Sequence, residues 1–214
     1  MRTFLFDYDG TLCDTQNAIV QSMQSLFHHH RQPVPDDLTL MVLVSSGKTI
    51  QESLKALGIK EDLIADWVGI YRRLYAQHEN LVRLFDGVFD TLAHLRATGN
   101  RLVLVSNKGR KAVETSLNAF KLNDYFDLVI AEEIGLAKKP SPLVFSERIQ
   151  PVFASAKNEH CIVVGDTVVD LHFAKQLGTH SCFASYGFGN QAECETVGYT
   201  HRLDCIADLV AIYP

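Results

Sequence analysis

Short apolar runs alternate with helical periodicities along most of this chain. Phe4–Phe6, Leu102–Val105, Leu128–Ala131, Cys161–Val164 and Ser181–Ala184 are continuously apolar, as strands with neither face in water would be. Other apolar residues recur at the helical period. They are Val88, Leu92 and Leu95, stopped at Gly99; Val113, Leu117 and Phe120; Leu171, Ala174 and Leu177, closed by Gly178; and Ile206, Leu209 and Val210. Strand and helix repeated in this order predict an α/β fold, with a parallel sheet covered by helices on both faces.

One interval breaks the alternation. From about Asp14 to about Val82 there is no strand pattern. Instead Ile19, Met23, Leu26 and Phe27, then Ile50, Leu54 and Leu57, then Leu63, Trp67, Tyr71 and Leu74 repeat at helical spacing. Such faces need one another, so a small helical bundle inserted after the first strand is expected. Its crossing points fall at Asp14-Thr15 and between Arg83 and Asp86. The division that follows is a core of residues 1–14 and 83–214 with an inserted helical unit of residues 15–82. The stripe Trp67, Tyr71 and Tyr75 has the ordinary core period and is expected to pack rather than to bind a cofactor.

Composition narrows the class. The 214 residues are 47% hydrophobic and 21% charged, ordinary for a soluble globular protein with a substantial core. A net charge of -5 without a basic run argues against a nucleic-acid surface, although a local basic pocket for an anionic substrate remains open. No apolar run approaches a membrane span. The five cysteines, Cys13, Cys161, Cys182, Cys194 and Cys205, contain no Cys-x-x-Cys pair, which suits reduced thiols in a cytoplasmic protein. His28-His29-His30 point in different directions at a helix end and are expected to be solvated, since metal-binding histidines on a helix recur at i and i+4.

The candidate chemistry sits at strand ends. Asp7-Tyr8-Asp9-Gly10-Thr11-Leu12 follows Phe4-Leu5-Phe6. Two aspartates one residue apart lie about 7 Å from each other along extended backbone and can turn toward one point as the strand ends. Their repulsion needs an offset, and a hard divalent cation with oxygen ligands supplies one. With Asp7 in that constellation, no room is left for a cleaved leader. Ser106-Asn107-Lys108 follow the second strand, Lys138-Lys139-Pro140 come after the third, and Gly165-Asp166-Thr167-Val168-Val169-Asp170 follow the fourth. In an open parallel sheet these positions converge on one rim.

Each segment also has a plainer use. Ser106-Asn107 cap helices well, Lys139 suits an exposed turn, and Asp166 and Asp170 suit a helix amino terminus. Taken together they fit phosphoryl transfer. Asp7 is then the nucleophile that forms an aspartyl-phosphate. Magnesium held by Asp7, Asp166 and a backbone oxygen, with Lys139 opposite, neutralises the phosphoryl oxygens. The Ser106 hydroxyl and the Asn107 backbone amide hold the remaining oxygens, while Asp9 protonates the leaving alkoxide and then takes a proton from water.

These residues carry a specific resemblance. Asp7 to Thr11 match Asp-x-Asp-Gly-Thr, Ser106 the hydroxyl motif, Lys139-Pro140-Ser141-Pro142 the Lys-Pro-x-Pro motif, and Gly165 to Asp170 the Gly-Asp-x-x-x-Asp motif. Over essentially its whole length the chain resembles the haloacid dehalogenase superfamily, within it the phosphoglycolate-phosphatase-like group with a helical cap. The resemblance implies a Rossmann-like sheet whose first strand is central, between the second and fourth, and makes residues 15–82 the cap. It implies Asp7 as nucleophile, Asp9 as acid/base with its carbonyl on magnesium, Ser106 and Lys139 as phosphate holders, and Asp166 as metal ligand, with Asp170 supporting the metal directly or through water. Thr11, Asn107 and Lys48 are expected on the substrate side.

The departures refine this picture. Dehalogenases and phosphonate-cleaving members lack an acid at the position of Asp9, so its presence argues against both reactions. The Pro-x-Pro register selects Lys139 over Lys138, and Asp86-Gly87 stands where relatives often have Pro-Gly near the hinge. Ser46-Gly47-Lys48-Thr49 imitates the end of a P-loop, yet the required first glycine falls at Val42, and the P-loop is rejected. Lys48 is then a cap-loop residue facing substrate or an exposed lysine at a helix start. Ser45, Ser46, Arg72 and Arg73 are further cap candidates. The expected activity is a magnesium-dependent phosphatase acting on a small phosphorylated metabolite, phosphoglycolate-like. A phosphomutase of the β-phosphoglucomutase type and a pyrophosphatase are the alternatives, and a non-catalytic binding protein is the remote one. Either a monomer or a homodimer is compatible.

Overall fold

The computed structural model describes residues Met1–Pro214. In chain order the strands are β1 (Thr3–Phe6), β2 (Cys13–Asp14), β3 (Arg83–Leu84), β4 (Arg101–Gly109), β5 (Leu128–Glu132), β6 (Cys161–Gly165), β7 (His180–Ala184) and β8 (His201–Leu203). Six of them form one parallel sheet in the order β5-β4-β1-β6-β7-β8, with β1 between β4 and β6 as the resemblance implies. The short β8 was not foreseen, because its three residues, His201-Arg202-Leu203, bury only Leu203.

Alternation along β1 shows why the strands read as unbroken apolar runs. Phe4 and Phe6 pack with Leu92, Leu95, Leu209 and Tyr213 on one face, while Leu5 packs with Phe145, Ile149, Phe173 and Leu177 on the other. Both faces are dry, so no polar position interrupts the pattern. The first face is covered by α5 (Val88–Ala97), α6 (Arg110–Ala119) and α9 (Asp208–Ile212), the second by α7 (Val168–Leu177) and a π-helical turn at Val144–Ile149. A further helix, α8 (Gln191–Val197), was not anticipated, because it is mostly polar and buries only Cys194.

Between β2 and β3 lie four helices and no strand: α1 (Gln16–His29), α2 (Leu38–Val44), α3 (Ile50–Ala56) and α4 (Glu61–His78). Helix α2 has no helical period in its sequence, Leu-Thr-Leu-Met-Val-Leu-Val, and buries only Leu38. In α4 the inward stripe is Ile64, Trp67, Val68, Tyr71 and Tyr75, while Leu63 is exposed. The buried face thus starts at Ile64 rather than Leu63, with Trp67, Val68, Tyr71 and Tyr75 following it at spacings of three, four, seven and eleven residues. His28 and His29 are exposed, whereas His30 stacks flat on Trp67 with ring centroids 4.1 Å apart. Where the chain leaves and rejoins the sheet, β2 and β3 pair antiparallel, Cys13 with Leu84 and Asp14 with Arg83. No helix is long and apolar enough to cross a membrane.

Candidate active site

Asp7 stands one residue beyond β1, its amide donating to the Val164 carbonyl of β6 at 2.8 Å, and is buried. Tyr8 turns the opposite way into the core, where its hydroxyl donates to Ser116 of α6. This alternation puts Asp7 and Asp9 on one side of the chain. The next residue, Gly10, has φ +77°, and a Cβ there would meet Asp166 Oδ2 at 2.1 Å. The turn therefore requires glycine for both its backbone and its space.

Around Asp7 the structure assembles a buried acidic centre with one internal cation. Lys139 Nζ donates to Asp7 Oδ1 at 2.7 Å and to Asp170 Oδ1 at 2.6 Å. Asp170 Oδ2 accepts from the Thr167 hydroxyl at 2.7 Å and its amide at 3.2 Å, closing a capping box at the start of α7. Asp166 Oδ2 accepts from the amides of Phe188 at 2.7 Å and Gly189 at 3.2 Å. Of the two adjacent lysines, Lys139 enters this centre and Lys138 instead reaches Glu52 of α3 at 2.7 Å.

Carboxyl oxygens of Asp7, Asp166 and Asp170 come within 4.8 Å of one another. Three buried carboxylates with only oxygen donors suit a hard divalent cation. The electrostatics agree. Burial pushes the Asp7 carboxyl up to about 7 although Lys139 works against it, and Asp170 and Asp9 add to the rise. Burial, then Asp7 and Asp170, also lift Asp166 well above the usual carboxylate range. Burial opposes the charge on Lys139, but Asp170 and Asp7 outweigh it and hold the ammonium above the ordinary lysine range.

Asp9 lies at the edge of this centre and has partners that the sequence did not single out. Its Oδ1 accepts from the Thr15 hydroxyl at 2.6 Å and from Lys108 Nζ at 2.8 Å. The Lys108 ammonium also sits 4.2 Å from the ring centroid of Tyr75 in α4. Burial opposes its charge, and the Asp9 carboxylate together with Tyr75 and Tyr71 outweighs that. Lys108 was visible beside Asn107 in the sequence, but nothing local tells which way it points. Its partners, Asp9 and Tyr75, both lie far from it in the chain.

Ser106, Asn107 and Lys108 belong to an extension of β4, where pairing with β5 shifts register between Val105 and Gly109. Gly109, not Ser106 or Asn107, precedes α6 at the capping position. Ser106 is buried, with its Oγ accepting from the Lys108 amide at 3.1 Å. Asn107 is a clamp: its side-chain amide donates to the carbonyls of Gly47 at 2.8 Å and Lys139 at 2.9 Å and accepts from the Lys139 amide at 3.0 Å. Thr11 is fully buried and its hydroxyl faces Asp166 Oδ1 at 3.4 Å. Lys48 is exposed at the cavity beside the strand ends, apart from the acidic centre.

The helical insertion is drawn over this rim. Besides the Asn107–Gly47 bond, Glu132 at the end of β5 accepts from Arg72 at 2.8 Å and from Gln51 at 3.1 Å. Gly47 has φ +79°, and a Cβ on it would meet the Thr167 hydroxyl at 2.6 Å. The loop between α2 and α3 thus lies directly on the loop after β6.

Residues 4–184 match the family of haloacid dehalogenase-like hydrolases. Among similar proteins is the pyrophosphatase PpaX of Bacillus anthracis, 28% identical over 99% of this chain and 96% of its own length. A haloacid dehalogenase-like hydrolase from Bacteroides fragilis superposes with a TM-score of 0.87 at 27% identity, covering 97% of this chain and 99% of the other. The fold is shared with a predicted phosphoglycolate phosphatase from Haemophilus somnus, at a TM-score of 0.87 and 23% identity, covering 100% of this chain and 98% of the other.

Proposed function

Because the chain belongs to the haloacid dehalogenase-like hydrolases, we propose that it is a phosphatase that cleaves a small phosphomonoester through an aspartyl-phosphate on Asp7. The observation that carries this is the Lys139 ammonium bridging Asp7 and Asp170 beside Asp166. Asp7 Oδ1 is engaged by Lys139, leaving Oδ2 to attack phosphorus. As the new bond forms, the ester P–O bond breaks and Asp9 donates a proton to the leaving oxygen. Water then attacks the phosphorus and gives its proton to Asp9, and the bond to Asp7 breaks to release phosphate. Lys139 holds Asp7 in place and offsets the charge that accumulates around it, a task of electrostatic preorganisation. The Ser106 hydroxyl and the Asn107 backbone amide bind the phosphoryl oxygens.

A divalent cation, for which we propose magnesium, would be held by Asp7, Asp166 and Asp170 with the Asp9 carbonyl and would supply charge neutralisation at the phosphoryl group. Residues 15–82 act as a cap that excludes bulk water while the intermediate forms, with β2 and β3 as its hinge. The unpaired thiols, four of the five buried, suit a reducing cytoplasm. One second reading, inorganic pyrophosphate as substrate, is favoured by the full-length similarity to PpaX.

The test is phosphate release from a panel of metabolites, with and without chelator, combined with acid trapping of labelled phosphate. Label on Asp7 and loss of turnover in Asp7→Asn are expected. Full metal-dependent turnover in Asp7→Asn would refute the proposal.

A further inference from the structure

Next to the acidic centre, a cavity of about 750 Å³ opens between the helical insertion and the strand ends, and its wall includes Asp9, Asn107 and Lys108. Cavities of this size enclose ligands of many atoms, far more than pyrophosphate or a two-carbon phosphate ester would fill. Where the insertion faces it, a run of apolar side chains lies beside Gln16, Ser45, Ser46 and Ser53. Ile19 and Met23 of α1, Val42 and Leu43 of α2, Ile50 at the start of α3 and Leu57 just beyond its end all border it.

The charged wall residues leave little with which to grip a second anionic group. Arg72 is paired with Glu132, Lys108 with Asp9 and Arg110 with Glu133. Lys48, Arg73 and Lys111 also border the cavity, but all three are exposed at its rim, where they attract an incoming anion rather than enclose one. The apolar lining continues outward through Met41 to Ile134, which is 89% exposed at the mouth. A second anionic group would find the Arg72, Lys108 and Arg110 cations already paired, while an alkyl or aryl skeleton gains from the apolar stretch of the wall.

We infer that the substrate is a phosphomonoester of an apolar alcohol, aliphatic or aromatic, with its phosphate at Asp7 and its carbon skeleton against α1, α2 and α3. This rests on the phosphatase reading and narrows it: the leaving group takes the proton from Asp9 and departs as a neutral alcohol along an apolar wall.

A graded series of ethyl, butyl and hexyl phosphate tests this on the intact chain with magnesium, beside pyrophosphate and phosphoglycolate. Burying one methylene is worth about fourfold in transition-state binding, so kcat/KM should rise at least about tenfold from ethyl to butyl phosphate. The Leu43→Gln variant should narrow the hexyl-to-ethyl ratio. A flat series, with pyrophosphate or phosphoglycolate cleaved faster than any alkyl ester, overturns the inference and leaves the phosphatase standing. An unaltered ratio in Leu43→Gln also overturns it. Inertness toward every compound, p-nitrophenyl phosphate included, removes both.

Discussion

Lys108→Met tests whether Asp9, the proposed acid/base carboxylate, depends on a cation supplied by β4. Lys108 Nζ lies 2.8 Å from Asp9 Oδ1, with side chains only 11% and 19% exposed. Methionine keeps the length and apolar stem but removes the charge and the donor. At that separation the gross attraction is about 6 kcal/mol for an effective dielectric near 20. Burying the ammonium consumes much of it, so the net value is that of a charge-assisted hydrogen bond, about 1.5–3 kcal/mol. Were that hold on Asp9 lost at the transition state, kcat would fall roughly 10- to 160-fold. Thr15 still holds the same oxygen at 2.6 Å, which argues for the lower part of the range. The assay compares an alkyl phosphate with p-nitrophenyl phosphate, whose phenolate leaves without needing a proton. Acting through Asp9, the substitution should slow the alkyl ester much more than the nitrophenyl ester. Equal losses on both would refute the reasoning, and so would an alkyl kcat within twofold of the parent.

Lys139→Met leaves Asp7 and Asp170 buried without their shared cation, and should cost about 3–5 kcal/mol of stability in urea denaturation. A loss below 1 kcal/mol would contradict the pairing. The pH dependence has a definite sign: the folded Asp7 carboxyl is raised to about 7, so between its ordinary value and 7 the folded state binds more protons than the unfolded one. Stability of the metal-free protein in chelator should therefore fall as pH rises through that window, Asp166 contributing in the same direction. Asp7→Asn should flatten that slope, and a steeper fall in the variant would reverse the assignment. Gly10→Ala places a Cβ against Asp166 at a backbone angle that costs about 1–2 kcal/mol, and should weaken magnesium binding about tenfold or more by calorimetry. Unchanged affinity there would mean that Asp166 is free to move.

The sheet was readable because β1, β4, β5, β6 and β7 are buried mostly on both faces, which leaves runs such as Phe4–Phe6 and Ile162–Val164 without polar interruption. Elements stabilised at their margins were not. The β2 and β3 strands are two residues each and exist only because they meet each other. Helix α2 is apolar nearly throughout, so its sequence has no face to detect, and Leu40 and Val44 stay exposed. At the site, residues fixed by short motifs are brought around one point: Asp7, Lys139, Asp166 and Asp170. What local sequence cannot encode is orientation decided by a distant element. The Asn107 side chain, which the sequence leaves without a task, joins Gly47 to Lys139, and Lys108 holds Asp9.

The antiparallel ribbon of β2 and β3 has a wider consequence. Since Asp14 lies directly across from Arg83, the two ends of the intervening 68-residue stretch are one strand spacing apart, about 4.8 Å. A tight loop could bridge that gap without displacing β1. The helical insertion is therefore separable at its base: on the proposed phosphatase reading, transplanting one from a related hydrolase should change which leaving groups are admitted, while Asp7, Asp166 and Asp170 stay anchored at the ends of the sheet, provided the graft again supplies partners for Asp9 and Asn107.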